Sequence, residues 1–152
     1  MSKSRGEPRK YEKKPYESNC QQNDTSANIY MSMLMSPAWK DLTPKQQQLY
    51  VYCKAQKYAE KSKTHGEESF TMNRSKWCSL YELYAINNAK GFYRDMEALI
   101  THGFVDCVEC GANTRTKSIY KLSSRWHNYD KPGYEVPLGV MTSAMRRKVF
   151  KP

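Results

Sequence analysis

Asn88-Ala-Lys-Gly-Phe-Tyr-Arg-Asp-Met-Glu-Ala-Leu-Ile-Thr-His-Gly-Phe-Val-Asp-Cys-Val-Glu-Cys-Gly-Ala-Asn-Thr-Arg-Thr-Lys-Ser-Ile-Tyr-Lys-Leu122 reads as one continuous unit. Asn88 is a good N-cap, and Phe92, Met96, Leu99 and Ile100 follow at helical spacing as a core stripe. His102-Gly103 supplies the glycine that commonly stops a helix. Phe104 to Cys110 then reads as a strand, Gly111 to Thr116 as a polar turn, and Lys117 to Leu122 as a second strand. The unit is a capped amphipathic helix followed by a hairpin.

Upstream, Asn73 caps a helix over about Arg74 to Leu83, with Trp77, Leu80 and Tyr81 facing inward, and a turn over Tyr84 to Asn87 joins it to the next helix. Ser69-Phe-Thr-Met72 is short, alternating and bounded, so a small first strand is expected there. A charged loop over Lys61 to Glu68 precedes it. Thr43-Pro44, an N-cap with proline at the first helical position, opens a helix that runs to about Lys61. Its Leu49, Tyr52 and Cys53 share one face and Val51, Ala55 and Tyr58 another, as in a helix touched from two sides. Ile29 to Met35 is a Met-rich apolar patch that can pair as a strand or lie on the core as a lead-in.

Residues 1–28 hold too little apolar surface to offset ordering entropy and read as a disordered basic arm, either a tether to phosphates or a solubilising tail. Residues 29–126 form the domain. Residues 127–152 are a basic C-terminal extension, ending in Ser143 to Phe150 as a short basic helix or a disordered end. No internal repeat is present. The order helix, strand, helix, helix, hairpin is that of a winged helix-turn-helix. The expected fold is therefore α+β, a three-helix core with a small antiparallel β-wing and flexible basic tails.

The 152 residues carry 25 Lys and Arg against 15 Asp and Glu, a formal charge of +10. That balance suits a polyanionic partner, DNA or RNA before membrane lipid, although charge also serves solubility. Residues 104–152 hold nine basic and four acidic side chains. With Phe92, Met96 and Leu99 inside, the long helix turns Ala89, Lys90, Tyr93, Arg94 and Glu97 outward. A helix at about 88–102 would lie in the major groove, where Arg94 can pair with guanine and Lys90 sits one turn away. Asn87 or Asn88 can reach adenine or phosphate. Gly91 either weakens the helix or lets its backbone approach DNA, and the second reading is favoured. Arg74, Ser75 and Lys76 at the preceding helix start suit phosphate oxygens. Asn113, Thr114, Arg115 and Lys117, on a wing tip at about 111–117, suit the DNA backbone or minor groove.

The five cysteines, Cys20, Cys53, Cys78, Cys107 and Cys110, are an odd set in a chain with no signal-like start, as expected of reduced thiols. Cys107 and Cys110 have CxxC spacing, but three residues apart on a strand they point to opposite faces. No second CxxC accompanies them, so no metal and no cofactor is expected. His65, His102 and His127 lack a nucleophile or carboxylate at a recognisable spacing, so no enzyme is expected. Trp39, Trp77, Trp126 and most of the 12 tyrosines fall on core stripes or element ends, and Tyr93 is the outward exception. No apolar run long enough to span a bilayer exists, which makes a cytoplasmic, nucleoid-associated location the default.

Ser36-Pro-Ala-Trp-Lys-Asp-Leu-Thr43, Phe92-Tyr-Arg-Asp-Met-Glu-Ala-Leu-Ile-Thr-His-Gly-Phe104 and Ile119-Tyr-Lys-Leu-Ser-Ser-Arg-Trp126 resemble winged-helix DNA-binding proteins of bacterial plasmids, phages and integrative elements. Some of these are replication-initiator or replisome-organiser domains, and others are small regulators. The likeness covers roughly residues 36–126 and rests on hydrophobic and glycine positions, which specify fold better than task. It implies a non-catalytic protein that binds double-stranded DNA in plasmid replication initiation or transcription regulation. A homodimer and contacts with replication or transcription proteins are left open, and no membrane partner is implied. The rival is a protein-interaction winged helix that docks a replisome partner through the aromatic long helix and the Met patch. RNA binding is a weaker rival.

Overall fold

The computed structural model describes residues 27–59, 69–111 and 116–151. Nearly all of the arm expected over residues 1–28 lies outside the described residues, as do the loop over 60–68 and the hairpin tip over 112–115. The architecture is α+β, with helices packed on a small three-stranded antiparallel sheet. Among the described residues, no helix is long and apolar enough to cross a membrane.

The Met-rich patch does not pair as a strand but lies on the core as a lead-in. It forms a helical turn, α1 (Met31–Leu34), that buries Met33 and leaves Tyr30, Met31 and Met35 exposed. Ser36 then caps α2 (Pro37–Asp41), its hydroxyl accepting from Trp39 N at 3.2 Å with Pro37 at the first position. A reciprocal box opens α3 (Pro44–Ala59): Thr43 N donates to Gln46 Oε1 at 2.9 Å, and Gln46 N to Thr43 Oγ1 at 3.4 Å. α3 buries Leu49, Tyr50 and Cys53, while Tyr52 stays half-buried and stacks on Tyr81 at 4.3 Å.

β1 (Ser69–Thr71) sits where the alternation places a short strand. The helix expected over 74–83 is instead a π-helical segment, Ser75–Leu80. Its wider turn keeps Trp77 buried but carries Leu80 outward to 66 % exposure, which corrects the inward placement of Leu80. Glu82 at φ 51° ends the segment, and the chain returns to bury Leu83 and Tyr84. α4 (Ala89–Thr101) buries Phe92, Met96, Leu99 and Ile100, the stripe that the spacing predicts.

Gly103 follows at φ 81°, and a Cβ there would stand 2.5 Å from Trp126 N, so glycine is required twice over. β2 (Val105–Glu109) and β3 (Ile119–Leu122) complete a sheet of order β1-β3-β2. Phe70 and Cys107 both register with Tyr120, and a bulge between Cys107 and Glu109 sets Val108 out of register. Between helices and sheet lie Trp39, set edge-on to Tyr50 and Phe104, the tilted pair Tyr50 and Phe104, and Trp77 stacked on Phe92 at 4.9 Å.

The segment beyond β3 packs on the same core. A 3-10 turn, Arg125–Asn128, places Arg125 on Asp106 Oδ1 at 2.7 Å, on Ile100 O at 2.9 Å and on Tyr134 Oη at 2.9 Å. α5 (Ser143–Phe150) buries Met145, joined in the core by Met141, and Ser143 N donates to Cys110 Sγ at 3.5 Å.

Candidate nucleic-acid interface

The apolar stripe of α4 leaves its other side outward. Lys90, Tyr93 and Arg94 are exposed there, Tyr93 at 53 %. Arg94 uses Nε on Asp95 Oδ1 at 3.3 Å, yet its side chain remains 75 % exposed. Asp95 is itself buried, held by Tyr84 Oη at 2.7 Å on one oxygen and by Gln46 Nε2 at 3.2 Å on the other. One carboxylate thus ties α3, the turn before α4 and the base of Arg94 together. Burial first, then the bond to Asp95, raises the Tyr84 hydroxyl well above its ordinary range, so the donor stays protonated.

The N-terminus of α4 is closed by its own cap. Asn88 Oδ1 accepts from Gly91 N at 3.1 Å, and a Cβ on Gly91 would stand 2.5 Å from that oxygen. Gly91 is buried. Its missing side chain makes room for the cap, which corrects the reading in which it brings backbone to DNA. Asn87 lies exposed in the turn just ahead.

At the π-helical segment, Lys76 N donates to Asn73 Oδ1 and Ser75 Oγ donates to the same oxygen at 2.7 Å. Lys76 Nζ turns back to Thr71 O at 2.9 Å and is half-buried. Arg74 instead stays exposed, donating to Ile86 O at 3.1 Å.

Five of the residues singled out from sequence line one groove of about 660 Å³: Arg74, Lys90, Tyr93, Arg94 and Lys117. Ser75, Lys76, Asn87 and Asn88 are not in its lining, and Asn113, Thr114 and Arg115 lie outside the described residues. The far wall is α5, which contributes Arg147 and Lys148, and Lys148 Nζ pairs with Glu97 Oε2 on α4 at 2.7 Å. The run Arg146-Arg147-Lys148 is visible as charge, but only the contact with Glu97 assigns it to this face.

Next to the groove, Cys110 lies just past β2 and the bulge between Cys107 and Glu109 breaks the alternation, so the opposite-face geometry expected of a regular strand does not apply. Both cysteines are free, and burial pushes the Cys107 thiol up to about 12. Among the described residues, no group of three or more His, Cys, Asp and Glu side chains is placed to hold a metal.

The chain has no significant match among protein-family models, curated proteins or solved structures.

Proposed function

We propose that the chain is a winged helix-turn-helix protein of a mobile element, cytoplasmic and nucleoid-associated. It binds double-stranded DNA without catalysis, in replication initiation or transcriptional regulation. The observation that carries this reading is the single face on which Lys90, Tyr93 and Arg94 stand exposed beside Arg74 and Lys117, opposite a fully buried stripe. The element order and the sheet order β1-β3-β2 support the fold, with β2 and β3 as the wing. In this reading α4 enters the major groove, Arg94 pairs with a guanine edge, and Lys90 meets a neighbouring base or phosphate. Lys117 and Arg147, on opposite walls, neutralise the flanking phosphates.

The test is a gel-shift titration of a selected duplex site with Lys90→Ala/Arg94→Ala. Each good base contact contributes about 1–3 kcal/mol, so the double variant loses roughly 2–6 kcal/mol of specific affinity. Unchanged affinity rules out α4 as the reader.

A second reading is favoured by the exposed Tyr30, Met31 and Met35, a cluster suited to docking a replication or transcription protein without specific DNA reading. Duplex binding absent at low salt, with a protein captured through that cluster and lost in Met31→Ser/Met35→Ser, would favour it.

A further inference from the structure

Arg94 is held at Nε and left open at its tip. Nε donates to Asp95 Oδ1 at 3.3 Å, while the two Nη atoms take no hydrogen bond or ion pair among the described residues. The anchor is not a surface carboxylate. Asp95 is 2 % exposed, and two other parts of the chain fix its oxygens. Tyr84 Oη donates to Oδ2 at 2.7 Å, and Gln46 Nε2 donates to Oδ1 at 3.2 Å. An ion pair from this rigid carboxylate to a side chain 75 % exposed adds little stability. Its main consequence falls on Arg94, a long side chain that would otherwise sample many rotamers.

A second carboxylate stands close enough along the helix to compete for the open tip. Glu97 lies three residues on in α4, the spacing at which opposite charges meet on a helix surface, and it lines the same groove. It is occupied from the other wall, where Lys148 of α5 sets Nζ 2.7 Å from Glu97 Oε2. We infer that Asp95 and Lys148 are positioning residues for Arg94. Asp95 braces Nε, and Lys148 withholds Glu97 from the Nη pair. The fork then stays open for the N7 and O6 acceptors that one guanine presents in the major groove. This role rests on the duplex reading of the face and names what sets its base preference. An arginine ordered before binding gives up less conformational freedom on meeting the base, so the effect appears in discrimination between bases.

The experiment uses the full chain and a duplex selected with it from a randomised pool. Guanines of that duplex are replaced one at a time by 7-deazaguanine, which lacks N7. One replacement weakens native binding roughly fivefold or more, within the range of a base contact, and costs nothing in Arg94→Ala. At that guanine the penalty shrinks by about two- to tenfold in Asp95→Asn, the range for ordering one such side chain. It shrinks roughly twofold in Lys148→Met, at an exposed position, and returns to the native value in Lys148→Met/Glu97→Gln. A merely structural contact would weaken binding to both duplexes equally and leave the penalty as it is. The native penalty in Lys148→Met, or in folded Asp95→Asn, overturns these roles, and so does a reduced penalty that Glu97→Gln fails to restore. Where Asp95→Asn does not fold, the two Lys148 variants decide. A duplex bound with no penalty at any guanine also overturns the roles, while duplex recognition stands. With no duplex bound at low salt, the duplex reading itself fails and the roles fail with it.

Discussion

Gly91 shows how a single residue on this helix is read differently with and without its neighbours. From sequence it is a helix-weakening residue on a proposed DNA face. In the fold it clears the space into which Asn88 Oδ1 bends to cap α4. A double-mutant cycle separates these roles. Gly91→Ala in the Asn88→Ala background gains about 1 kcal/mol from helix propensity. In the native background the same change displaces a cap worth about 1 kcal/mol and yields no gain. Urea denaturation measures both, and an equal gain in the two backgrounds contradicts the cap. Asp95 offers a second case. It sits among Phe92, Met96 and Leu99 on the inward face, where a carboxylate demands partners, and the partner residues Tyr84 and Gln46 come from other elements. Tyr84→Phe leaves that carboxylate short of a donor and costs about 1–3 kcal/mol by chemical denaturation. No loss would mean that Asp95 is otherwise satisfied. Lys90, Tyr93 and Arg94 were legible because one helix period separates in from out. Asp95 was not, since its donors lie 11 and 49 residues away.

At the scale of elements, α4, β1 and the two hairpin strands follow from local pattern, because caps, alternation and the Gly103 stop act within a few residues. The π-helical segment does not. Its extra width depends on seating Trp77 against Phe92 and returning the chain through Glu82, and a 3.6-residue template put Leu80 inside. The β2 bulge was equally hidden, since it depends on register with β3. α2 and the end of α4 are joined by Asp41, whose Oδ2 meets His102 Nε2 at 2.8 Å and Tyr129 Oη at 2.7 Å. The bond from His102, then that from Tyr129, holds the Asp41 carboxyl below its ordinary 3.8. A carboxyl depressed in the folded state stabilises above its unfolded value and stops doing so as pH falls through the folded value. The urea-midpoint gap between the native chain and Asp41→Asn is therefore present at about pH 6 and closes on acidification below the ordinary value. A gap that persists unchanged to about pH 2 contradicts the clip.

Across the whole molecule, net charge pointed to a polyanion, but its distribution became meaningful only when the C-terminal segment was placed. α5 closes the groove with Arg147 and Lys148 and is anchored by Met145 and by the bond of Ser143 N to Cys110. An extension that loses periodicity after Trp126 gave no hint of this, because its anchors are single residues separated by turns. The central claim is that cations from α4, the hairpin and α5 act together on the phosphates of one duplex. Its most direct test is duplex affinity measured by fluorescence anisotropy across a salt series, for the native chain and for Lys90→Ala/Lys117→Ala/Arg147→Ala. Each neutralised phosphate contributes about 0.9 to the slope of log affinity against log salt, so the triple variant has a slope shallower by nearly three and binds more weakly at low salt. A slope and affinity identical to those of the native chain, with the fold intact, would contradict the claim.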